Sequence, residues 1–180
     1  ERQAKSIQAL KNIPSPQQRI EYTKAMQKSQ YTILAPLISP IHLRILQEAM
    51  RAHNYNVVVL PESATAMDTG LKFVNNDACY PTILVVGQIL DALLSGQYDL
   101  NKTAVVITQT GGGCRATNYI SLLRKALRQA NIAQVPVISL NFGGLESHSG
   151  FKLRVPLILD MMHSVLYGDL LMRCLYDAAV

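Results

Sequence analysis

Charge is sparse in this chain: 16% of its 180 residues are Asp, Glu, Lys or Arg, while 49% are apolar. That balance excludes an intrinsically disordered chain and argues against a long solvated helix or a coiled coil. Cysteine is scarce too, with three in all. An odd count without a secretory signal makes no disulfide framework and points to a reducing, cytoplasmic setting with thiols free for metal or redox chemistry. No membrane span is expected. The most apolar late stretch, Val155 to Met172, is interrupted by Asp160, His163 and Asp169 and reads as a core helix.

The modest charge is unevenly spread. The chain carries a net +5, and residues 1–30 hold six basic side chains (Arg2, Lys5, Lys11, Arg19, Lys24, Lys28) against Glu1 and Glu21. The rest is close to neutral. A basic leader of this kind is expected to be a solvated helix face, so no nucleic-acid partner is expected. Glu1 at the first position and a last stretch without a stop signal read as the ends of a piece of a longer protein.

Residues 1–30 read as a basic helical leader, with Ser15-Pro16 opening a helix that runs to about Lys28. Residues 31–180 read as one domain. Short apolar runs at 32–35, 57–60, 104–108 and 135–140 alternate with helix-length segments at 41–53, 81–95, 115–130 and from 155 onward. Residues 61–78 are polar and irregular and read as a long loop. Strands that are continuously apolar, in βαβ order, are strands buried on both faces. The expected fold is therefore α/β: a three-layer, doubly wound parallel sheet of about four strands, Rossmann- or flavodoxin-like.

Right-handed crossovers bring the strand-to-helix loops to one edge of such a sheet. Two of them carry chemistry. Asn75-Asn76-Asp77-Ala78-Cys79-Tyr80-Pro81 places Cys79 just before a helix whose Pro81 suits the first turn, and helix N-termini favour a thiolate. The second loop, Thr108 to Tyr119, contains Gly111, Gly112 and Gly113 followed by Cys114 and Arg115. Glycines after a strand make an anion-friendly concavity of backbone N–H groups. Neither the P-loop nor the dinucleotide Gly-x-Gly-x-x-Gly pattern is present, and Arg115 follows Cys114 too closely for a phosphatase loop. Three readings stay open: thiolates for a metal or iron–sulfur cluster, an anion site using the glycines and Arg115, and ordinary loop chemistry. Cys174 reads as packing within the last helix. His42 and His53 read as surface or capping residues, His163 as partly buried, His148 as a mobile surface residue, and Asp77 as a turn former.

At these two loops the sequence resembles the C-terminal region of large activases related to the activator of 2-hydroxyglutaryl-CoA dehydratase, which is itself similar to 2-hydroxyacyl-CoA dehydratase and benzoyl-CoA reductase subunits. The likeness runs from about Tyr31 to Phe151 and includes Pro136-Val137-Ile138-Ser139-Leu140-Asn141. It implies an oxygen-sensitive system in which ATP hydrolysis drives a low-potential electron into a dehydratase holding [4Fe–4S] clusters. On that resemblance Cys79 and Cys114 match cluster-ligand motifs, and the partners are an ATPase module elsewhere in the parent chain and a CoA-thioester dehydratase; a homodimer is a separate expectation. Two departures stand out. Such subunits usually supply three cysteine ligands, and the actin-like ATPase loops of an activase are absent from these residues, so this segment alone is expected to hydrolyse no ATP. A cluster-free docking domain and a CoA-phosphate site on the glycine loop are the alternatives.

Overall fold

In the computed structural model, residues 19–141 and 145–178 are described. The elements in order are α1 (Lys24–Lys28), β1 (Thr32–Ala35), α2 (Pro40–Ala52), β2 (Val57–Val59), α3 (Ala66–Phe73), α4 (Tyr80–Leu94), β3 (Thr103–Thr108), α5 (Tyr119–Gln129), β4 (Val137–Leu140) and α6 (Val155–Ala178). The four strands form one sheet in the order β2-β1-β3-β4. Every neighbouring pair is parallel, with Ile33 opposite both Val57 and Ala104, and Val105 opposite Val137. The α/β doubly wound sheet expected from the sequence is therefore present.

Alternate side chains of each strand serve opposite faces, so the sheet carries two cores. Leu34, Val105, Ile107 and Val137 pack with α4 and α5 on one face. Ile33, Ala35, Val57, Ala104, Val106 and Ile138 pack with Met50 of α2 and with Leu157 and Met161 of α6 on the other. Because β1 connects outward through α2 and β3 connects the opposite way through α5, the carboxyl ends of β1 and β3 form the switch point, where ligands bind in open α/β sheets.

Several local expectations are corrected. Residues 61–78 contain the helix α3. Its signal was hidden because α3 packs by backbone approach rather than by a large apolar stripe. A Cβ on Gly87 of α4 would meet the carbonyl oxygen of Ala66, and one on Gly70 of α3 would meet that of Ile83. The helix expected over 115–130 starts as a short 3₁₀ turn, Arg115–Asn118, and becomes α-helical at Tyr119. In the leader, the Ser15-Pro16 start lies outside the described residues, and residues 19–23 are not helical. The helix begins at Lys24, where Thr23 accepts from the Met26 N–H. Residues 19–30 pack against the domain: Tyr22 is buried, the Gly150 N–H donates to its carbonyl at 3.0 Å, and Arg19 pairs with Glu146 at 3.1 Å.

The last helix is not wholly a core helix. Leu157, Met161, Ser164 and Gly168 form the stripe buried against the body. Val155, Leu159, Met162, Leu166 and Leu170, on the other side at helical spacing, are exposed. Among the described residues α6 alone is long and apolar enough to cross a membrane. In this fold it lies along α2, tied there by His42 to Asp169 at 2.9 Å and His53 to Asp160 at 2.7 Å. Cys174, expected to pack, is exposed, as is His163.

Candidate functional site

Cys79 caps α4 in an extended conformation (φ −62°, ψ 143°), and its carbonyl accepts from the Thr82 N–H at 2.9 Å. Tyr80 and Pro81 open the helix, with Pro81 placed where its missing N–H costs nothing. One turn on, the Thr82 hydroxyl reaches the Cys79 Sγ at 2.9 Å. The second partner comes from the next βα unit: the Tyr119 hydroxyl, at the start of α5, lies 3.0 Å from the same sulfur.

These contacts favour the ionised thiol. The Thr82 hydroxyl, then the Tyr119 hydroxyl, hold the Cys79 pKa below its ordinary 9.0; burial opposes them, and the Arg115 guanidinium adds to them. The reciprocal effect appears on Tyr119, whose phenol is pushed up by burial first, then by the bond to Cys79 and by the charges of Cys79 and Cys114. When Cys79 is ionised, both hydroxyls are placed to donate to its sulfur.

A cleft of about 430 Å³ opens beside Cys79, lined also by Asp77, Thr82, Arg115, Asn118 and Lys125. Asp77 is exposed in the turn that Ala78 closes with its N–H on the Asn75 carbonyl at 3.0 Å. Of the residues singled out from sequence, Cys79 and Arg115 thus share one cleft. Gly111, Gly112, Gly113 and Cys114 do not line it. Gly111 takes a left-handed conformation (φ +72°) that requires glycine, whereas a Cβ on Gly112 or Gly113 would meet nothing within 4 Å. The loop is held by the Thr117 hydroxyl donating to the Gly112 carbonyl at 3.2 Å and by Gln109 donating to the Thr117 carbonyl at 3.3 Å.

Cys114 is exposed and caps the 3₁₀ turn, its sulfur accepting from the Ala116 N–H at 3.5 Å. It does not open α5 directly, which corrects the expectation of two thiols at two α-helix starts. It is still near enough for its charge to act on Tyr119. Among the described residues no group of three His, Cys, Asp or Glu side chains is arranged to hold a metal ion.

Tyr119, Thr82 and Asn118 were not singled out from the sequence. The signal available was positional: Thr82 lies three residues beyond Cys79 in the first turn, and Tyr119 five beyond Cys114. A second group was misjudged. His148, expected to be a mobile surface residue, is buried at 5% exposure, and its Nδ1 accepts from the Tyr22 N–H at 3.1 Å. Its Nε2 is buried without a partner among the described residues. Burial, then Arg19, keeps its pKa below 6.5 against the pull of Glu146.

Fold and edge loops together define a doubly wound α/β domain with a thiolate-favouring cleft at its carboxyl edge. Comparison with known proteins finds no matching family model, no matching curated protein and no matching solved structure.

Proposed function

We propose that this chain is a thiol-bearing module of an electron-transfer system of the kind the activase family serves, contributing Cys79 and Cys114 as two thiolates to an iron–sulfur centre completed by another polypeptide. The observation that carries this reading is the Cys79 sulfur held between the Thr82 and Tyr119 hydroxyls at 2.9 and 3.0 Å, with Arg115 beside it. Soft thiolate donors surrounded by hydrogen-bond donors suit such a centre in kind. They do not suit it in number. A four-thiolate cluster held by this chain alone does not fit, because Cys174 sits on α6, which packs with α2 against the sheet face opposite α4 and α5, and no three-ligand group exists among the described residues.

When bound, such a centre would supply one-electron transfer. The part assigned to this chain is narrower. Cys79 offers an ionised sulfur, Thr82 and Tyr119 donate to it, and Arg115 offsets negative charge. The [4Fe–4S] assignment, the CoA-thioester dehydratase partner and a neighbouring ATPase module belong to the same proposal. The shortage of ligands favours a second reading, a cluster-free domain that docks a partner through this edge.

Anaerobic reconstitution with iron and sulfide separates them. The first reading expects thiol-dependent iron at less than one complete cluster per chain, lost in the Cys79→Ser/Cys114→Ser variant. Equal iron content and absorbance in wild type and variant would reject it.

A further inference from the structure

At the opposite edge of the sheet lies a larger concavity, of about 520 Å³. It forms where α1, the turn from α2 into β2, and the segment leading into α6 meet. The charge of its wall is one-sided: Lys24, Lys28, Lys152 and Arg154 line it, and among the described residues no Asp or Glu does. None of these four cations takes part in an ion pair among the described residues. The nearby acids are already engaged, Asp160 with His53 at 2.7 Å and Glu21 with the Ser149 N–H at 2.6 Å. Sequence position hides this arrangement, since two of the cations belong to the basic leader and two to a segment more than a hundred residues later.

We propose that this cleft binds a small organic di- or triphosphate, its phosphoryl groups held between Lys24 and Lys28 on one wall and Lys152 and Arg154 on the other. Four like charges converging on a concave surface repel one another, and an anion that neutralises them relieves that repulsion. Arg154 offers a planar fork suited to bidentate phosphate contact, and the lysines offer mobile point charges. The wall is also braced. The Tyr55 hydroxyl accepts from the Lys152 N–H at 3.0 Å and donates to the Lys152 carbonyl at 3.3 Å, while the Tyr55 ring packs on Phe151 with centroids 4.9 Å apart.

Two features favour a small ligand over a nucleic acid. The volume falls inside the usual range for small-molecule sites, roughly 300–1,000 Å³. Single-stranded nucleic acid is held by aromatic rings on which bases stack, and among the described residues the rings lining this cleft are that of Tyr55, 6% exposed, and that of His53, already bonded to Asp160.

The test is calorimetric titration of the whole chain, at low salt, with inorganic tripolyphosphate, ATP, orthophosphate and a short single-stranded RNA. The expected result is saturable one-to-one binding of tripolyphosphate and ATP, tighter than orthophosphate. The Lys28→Glu/Arg154→Glu variant, altered only at exposed positions, should weaken it at least tenfold with unchanged circular dichroism, and Arg115→Glu at the far edge should leave it unchanged. Absence of saturable tripolyphosphate binding, equal affinity in the double variant, or RNA bound more tightly than tripolyphosphate would overturn the proposal. Neither Cys79 nor Cys114 is altered in any arm of this assay, so the two proposals fail separately.

Discussion

The Tyr119 hydroxyl stands 3.0 Å from the Cys79 sulfur, joining the first turn of α5, which follows the β3 loop, to the cap of α4, which follows the loop from α3. The contact gives the carboxyl edge its one thiol with two hydroxyl partners. It predicts that Tyr119→Phe raises the Cys79 pKa and slows alkylation of Cys79 at neutral pH. Thr82→Val should do so more strongly, because the Thr82 hydroxyl has the larger effect. Site-resolved iodoacetamide labelling across pH measures both.

The packing of α3 on α4 depends on two glycines. Gly87→Ala places a methyl group against the Ala66 carbonyl, a backbone atom that has no room to rotate away. Overpacking of this kind costs about 1–3 kcal/mol. Urea unfolding should register that loss, and since α3 leads into the Cys79 loop, thiol reactivity should change with it.

Opposite sides of α6 should respond differently to truncation. Leu157 is 1% exposed, and Leu157→Ala should cost about 2–5 kcal/mol. Leu166 is 63% exposed, and Leu166→Ala should change stability by less than about 0.5 kcal/mol. Parallel thermal melts check the pair.

His148 predicts an acid-side loss of stability. Its folded pKa lies below 6.5, so on acidification the unfolded chain takes up the proton first. Stability should be level above about pH 6.5 and fall as pH drops beneath it. His148→Asn keeps an acceptor for the Tyr22 N–H and removes the titrating group. Denaturation midpoints from pH 7.5 to 5.5 should then flatten in the variant.

The parallel sheet of about four strands and the thiol-bearing loops were readable in sequence because both rest on local signals. Runs such as Val57-Val58-Val59 and Ala104-Val105-Val106-Ile107 announce strands buried on two faces, and Pro81 marks the start of α4. What sequence hid depends on contacts between distant segments. Helix α3 packs through Gly70 and Gly87 meeting backbone, while Met67 and Leu71 at helical spacing stay exposed, so its apolar residues do not mark the buried face. His148 looks mobile among glycines and serines until Tyr22 closes over it. The apolar residues of α6 do not distinguish the stripe that docks on α2 from the one left in solvent. Cys114 is five residues short of α5 because a 3₁₀ turn intervenes, and spacing alone does not separate that turn from the helix.

The Thr82 and Tyr119 hydroxyls make Cys79 the thiol at this edge most inclined to ionise. Thiolate absorbance of the Cys114→Ser/Cys174→Ser variant, which leaves Cys79 as its only cysteine, tests this directly when followed against pH. The expected midpoint lies clearly below 9.0 and moves upward when Thr82→Val or Tyr119→Phe is added. A midpoint at or above 9.0, unmoved by either substitution, would contradict it.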